Sequence, residues 1–167
     1  ISLTQSMISL GSCTMKLNAA TQLIPVSWPG FAGIHPYVPI NQTEGYHQLI
    51  IELEHALAGI TGFEAISFQP NSGAQGEYAG LLVIRAYHRA RGDAARSIVL
   101  IPDSAHGTNP ASTAMCGYQT VEIRSDSFGN VDLDDLRAHC DERVAAMMLT
   151  NPNTLGLFDG GVLEIAD

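Results

Sequence analysis

Apolar and polar positions follow two periods along this 167-residue chain, and the switches between them outline its elements. Beyond Thr43, the residues Tyr46, Leu49, Ile50, Leu53, Leu57 and Ile60 recur at helical spacing. With Thr43 or Asn41 placed to cap the start and Gly62 past the end, they predict an amphipathic helix. Strands and helices then alternate: strand 65–69, helix 75–91 closed by Gly92, strand 97–102, short helix 110–116, strand 120–124, helix 133–143 and strand 145–150. The runs 98–101 and 145–149 are almost unbroken apolar, as strands covered by helices on both faces are. Residues 162–167 read as the start of another helix. This alternation predicts an α/β fold over 44–167, a mostly parallel sheet flanked by helices. Residues 1–43 lack a clear period and carry Pro25, Pro29, Pro36 and Pro39 among Trp28, Phe31, Ile34 and Tyr37. They predict an extended N-terminal arm wrapping another surface, with one short helix near 18–23.

Composition narrows the function. A chain 46% apolar and 15% charged builds a core-rich globule. A net charge of −9, with scattered arginines and Lys16 as the one lysine, argues against a nucleic-acid surface, which needs clustered cations. No apolar run approaches a membrane span. The start at Ile1 lacks both Met and the layout of a signal peptide, so the sequence reads as a cut from a longer protein. Cys13, Cys116 and Cys140, an odd set without a CxxC pair, predict neither a disulfide framework nor a zinc site, and a reducing compartment. His47 and His55 fall on the polar side of the first long helix with no second ligand at metal spacing, so no metal site is predicted.

In parallel α/β sheets ligands sit beyond the carboxyl ends of the strands, and three predicted strand ends open into small polar sequence. The first is Asn71-Ser72-Gly73-Ala74-Gln75, a turn entering a helix. Its main-chain N–H groups and the helix dipole can hold a phosphate without a lysine, while the bland alternative is a βα turn capped by Ser72. The spacing is neither GxGxxG nor a P-loop. The second, 103–109, offers the His106 imidazole with Thr108 and Asn109; the third, 150–156, offers Asn153 and Thr154. A phosphate-bearing planar cofactor needs a plate against its ring and a donor for a phenolic oxygen, and pyridoxal phosphate fits that description. Its chemistry also calls for a lysine and an acid, and Lys16 lies in the arm. Residues 125–130 read as a plain connection, with Asp132 capping the next helix.

Four stretches carry a family resemblance: Ser12–Asn18, Gln69–Gly80, His106–Ser112 and Thr150–Gly156. In this order they resemble the C-terminal half, or second subunit, of glycine dehydrogenase (decarboxylating), the P-protein of the glycine cleavage system. The resemblance implies part of the large domain of a fold-type-I pyridoxal-phosphate enzyme. Such an enzyme decarboxylates glycine and passes the aminomethyl group to the lipoyl arm of H-protein, in the bacterial cytoplasm or the mitochondrial matrix. It also implies a second half or subunit, in a dimer or heterotetramer. Position by position, Ser72, Gly73, Ala74 and Gln75 match the phosphate loop and His106 the plate on the ring. Thr108 and Asn109 match its neighbours, and Thr154, with Asn153 beside it, the position near the phenolic oxygen. Thr14, Met15 and Lys16 match a segment lining the substrate approach. The Schiff-base lysine and the acid facing the pyridine nitrogen are implied to follow residue 167, so this segment holds no catalytic residue and Lys16 is not the missing lysine. The competing readings are another fold-type-I decarboxylase or lyase, and an inactive fragment that serves packing. For Cys13 and Cys116, packing outweighs a thiol role.

Overall fold

The computed structural model describes residues 20–167, so Cys13, Thr14, Met15 and Lys16 lie outside the described residues. The chain divides into two compact units, one ending at Ile66 and one spanning Ser67–Asp167.

In the first unit, helix α1 covers Ala20–Val26, α2 covers Pro29–Ala32, and a single 3₁₀ turn covers Ile40–Gln42. Helix α3 follows as Glu44–Thr61, ended by Gly62 at φ 76°, a left-handed position that glycine fills without a Cβ penalty. The helical period is therefore realised as expected. Its apolar stripe is not buried, however: Leu49, Ile50, Leu53 and Ile60 are all exposed. The first turn packs on α2. The Tyr46 hydroxyl donates to the Phe31 carbonyl at 2.8 Å, and the two rings meet edge to face at 5.5 Å.

The second unit is α/β. Helix α4 is Gly73–Ala90, strand β1 Ile98–Pro102, helix α5 Thr108–Met115, strand β2 Gln119–Ile123, helix α6 Leu133–His139, strand β3 Val144–Met147 and helix α7 Val162–Ala166. The three strands form one parallel sheet in the order β2-β1-β3. β1 lies at the centre, and all five of its residues are buried. Because side chains alternate across a strand, Val99 and Ile101 meet Leu81 of α4 with Cys116 and Tyr118 on one face. Ile98 and Leu100 meet Ile123, Val131, Leu136 of α6 and Ile165 of α7 on the other. Helices thus cover both faces, which is why the β1 sequence reads as a continuous apolar run.

Several predicted elements differ: the strand expected over 145–150 stops at Met147, and residues 20–43 hold two helices and a 3₁₀ turn where the sequence predicts one short helix. Residues 65–69 form no strand: they have no ladder partner among the described residues, and the Gln69 N–H turns back to the Ser67 hydroxyl at 3.3 Å. An alternating pattern is only half of a strand, because its N–H and C=O groups still need a neighbour. Helix α6 stops at His139, four residues short of the predicted end. There Asp141 draws the Arg143 N–H to its own carboxylate at 2.8 Å and so competes with the helical ladder.

Candidate functional site at the carboxyl end of the sheet

The site is built from three chain segments of the second unit. At the start of α4 the Ser72 hydroxyl accepts the Gln75 N–H at 3.3 Å, and Gln75 Oε1 accepts the Asn71 N–H at 3.0 Å. This reciprocal arrangement resembles a capping box and fixes the turn. It leaves the N–H groups of Gly73 and Ala74 without an acceptor among the described residues, at the positive end of an eighteen-residue helix. A Cβ on Gly73 would meet nothing within 4 Å, so the space before these donors is open.

The direction of α4 follows from its contacts. His88 Nε2 lies 2.9 Å from the carbonyl of Ala145 at the amino end of β3, Arg85 donates to the Cys116 carbonyl just before β2, and Leu81 packs on the middle of β1. The helix therefore runs antiparallel to the strands. Going back from His88 to Ser72 climbs roughly 24 Å toward their carboxyl ends, at about 1.5 Å per residue.

Beyond β1, His106 Nδ1 accepts the Thr108 N–H at 3.2 Å and lies 2.9 Å from the Thr108 hydroxyl. An amide N–H only donates, so Nδ1 is the bare nitrogen and the proton sits on Nε2. The ring is exposed and its faces are free to stack. Asn109 is 4% exposed, and its Oδ1 has no partner. Beyond β3, the Thr154 hydroxyl donates to the Ser104 carbonyl and ties the two strand ends together. Asn153 builds its own loop and ties it to the turn before α6: Nδ2 donates one proton to Gly129 O at 3.0 Å, and Oδ1 accepts from Leu155 and Leu157. Its oxygen is committed to the loop, and one amide proton is left over.

The structure thus joins Ser72 with Gln75, His106 with Thr108, and Thr154 with the loop of His106. No hydrogen bond links the Ser72 turn to the His106 turn among the described residues. Two rim residues escape a reading by sequence. Glu77, one turn into α4, has a buried Oε2 with no partner. Asp103 accepts both the N–H and the hydroxyl of Ser125, joining the ends of β1 and β2. A carboxylate one helical turn past the small-residue cradle was the available signal for Glu77; for Asp103, whose partner is 22 residues away, there was none. Among the described residues no group of His, Cys, Asp and Glu is placed to hold a metal, and no helix is long and apolar enough to cross a membrane. Burial pushes the Cys116 thiol above its ordinary value, which keeps it a packing group.

A parallel sheet covered on both faces, with polar turns gathered at its carboxyl ends, defines an α/β unit of the ligand-binding kind. The same fold is found in the crystal structure of glycine decarboxylase (P-protein) of the glycine cleavage system in inhibitor-bound form. The match has a TM-score of 0.67 at 20% identity and covers 84% of this chain and 31% of that one. In sequence, the chain matches glycine dehydrogenase (decarboxylating) from end to end. It is 59% identical to that of Deinococcus radiodurans over 169 residues, covering 99% of this chain and 18% of the relative. The values for Nitrobacter hamburgensis are 58% over 171 residues, with 100% and 18% covered. Those for Xanthomonas euvesicatoria are 57% over 170, again with 100% and 18% covered. No family model matches. The resemblance drawn from the four motifs is therefore shown: along its whole length the chain is similar to glycine dehydrogenase (decarboxylating), and it spans about 18% of the length of these relatives.

Proposed function

We propose that this segment belongs to a pyridoxal-phosphate enzyme that decarboxylates glycine and transfers the aminomethyl group to the lipoyl arm of H-protein. We place that enzyme in the bacterial cytoplasm or the mitochondrial matrix, assembled with a second half or subunit as a dimer or heterotetramer. The observation that carries the reading is identity of 57–59% to glycine dehydrogenase (decarboxylating) along the whole chain. The residues at the rim fit the cofactor. The acceptor-less N–H groups of Gly73 and Ala74 suit a phosphate dianion, with Ser72 and Gln75 holding the turn in shape. His106 offers a ring face, held at a fixed angle by Thr108 through Nδ1. Asn109, three residues on from His106, keeps a buried Oδ1 with no donor among the described residues. Thr154 directs its proton to Ser104, so its oxygen serves the ligand only as an acceptor and its main work is to hold the His106 loop.

When bound, pyridoxal phosphate supplies an electron sink for cleavage of the bond between the α-carbon and the carboxylate of glycine. The chain's own residues bind the phosphate, orient the ring and fix the loops around it. The amine that anchors the cofactor is assigned to a part of the protein outside this sequence, since the single lysine, Lys16, lies in the predicted arm. The test is exchange of labelled CO₂ into glycine in the presence of H-protein. The full-length protein is expected to catalyse it and this segment alone is not. Exchange by the segment above a boiled control, or none by the full-length protein loaded with cofactor, contradicts the proposal.

A further inference from the structure

The amino ends of the strands, the opposite edge of the sheet from the rim, hold a cavity of about 120 Å³ lined by Arg85, His88, Arg89, Asp93, Arg96 and Tyr118. At about 30 Å³ of liquid per water, it takes roughly four waters, which suits a small oxyanion and excludes a nucleotide or a peptide. Three guanidinium groups meet here against one carboxylate, and Asp93 also faces Arg91 at 3.8 Å. Arg85 donates to the Cys116 carbonyl, and Arg96 to the Val144 carbonyl at 2.6 Å, which leaves most of the donors of each fork unused. Two further buried polar atoms have no partner among the described residues: the hydroxyl of Tyr118, which is 8% exposed, and Nδ1 of His88, whose Nε2 is engaged by the Ala145 carbonyl. Burial raises the Tyr118 hydroxyl above its ordinary value, with the charges of Arg85 and Arg89 pulling against it.

The competing account is that the arginines answer the negative end of the α4 dipole. That end is already capped, because the N–H groups of Arg91, Gly92 and Asp93 take the last carbonyls of the helix. We infer that this cavity binds a small oxyanion, a phosphate or a carboxylate, among the side chains of Arg85, Arg89 and Arg96. Planar guanidinium forks match either anion. The site is separate from the Ser72 cradle, which lies at the other end of α4.

Calorimetric titration of the full-length protein with inorganic phosphate, and separately with acetate, tests this and distinguishes the two sources. One saturable site is expected that persists in Ser72→Ala and is weakened about tenfold or more by Arg89→Gln. Arg89 is exposed and makes no side-chain hydrogen bond among the described residues, so this variant is expected to keep the parent Tm. If neither anion saturates, or if binding vanishes in Ser72→Ala or is unchanged in Arg89→Gln, the inference is overturned.

Discussion

The Thr154 hydroxyl donates to the Ser104 carbonyl fifty residues away, so the loop after β3 is pinned to the loop that carries His106. Thr154→Val keeps the shape and removes this bond. A loss of about 1 kcal/mol in urea denaturation is expected, together with weaker cofactor retention in the full-length protein. Retention equal to that of the parent would mean that the tie does not position the cofactor.

His106 and His55 offer a contrast within one protein, since both are exposed, but His106 follows the carboxyl end of β1 whereas His55 belongs to α3 of the other unit. In the full-length protein His106→Ala is expected to lose the visible absorbance of the cofactor more readily on dialysis than His55→Ala. Equal loss removes His106 from the site. Lys16→Ala is expected to leave the absorption band intact, and its disappearance would identify Lys16 as the anchoring amine.

Asp135 is buried and accepts the Arg124 N–H at 2.9 Å, with the guanidinium of Arg124 on its other oxygen at 2.9 and 3.1 Å. These bonds, the main-chain one foremost, hold its carboxyl below the ordinary 3.8. A carboxyl lowered in the folded state adds stability that is present above its ordinary value and fades as pH falls through the lower folded one. The Tm difference between the parent and Asp135→Asn is therefore expected to be widest near neutral pH and to shrink as pH falls through the acid range below about 4. A difference that stays constant over that range would show that the charge of Asp135 contributes nothing.

Gly59 and Gly62 are expected to respond in opposite directions to alanine. Gly59 lies inside α3 with open space around its missing Cβ, so Gly59→Ala stabilises by up to about 1 kcal/mol. Gly62 has φ 76°, where a side chain is strained, so Gly62→Ala destabilises by about 1 kcal/mol. Chemical denaturation of the two variants decides it, and the same sign for both refutes it.

Reading the sequence succeeds where the signal is local. The Ser72 cap, the Gly62 stop and the Asp132 cap of α6 each depend on residues within one turn, and all three occupy their expected places. The buried run of β1 is legible because helices on both faces remove the need for polar positions. What needs a distant partner is not legible. Residues 65–69 have the alternation of a strand without a neighbour to pair with, and the stripe of α3 predicts a burial that its own unit does not provide. At the rim, the cradle residues could be named from their types. The pinning of Thr154 to Ser104, the bond from Asn153 to Gly129 and the orphaned Glu77 depend on chain segments that only folding brings together.

With β1 in the middle, β2 and β3 each keep one flank free of ladder bonds among the described residues. Rows of unsatisfied amides and carbonyls of this kind recruit other strands. Produced by itself, the segment is a template for adding strands, and its solubility depends on which polypeptide reaches those flanks first.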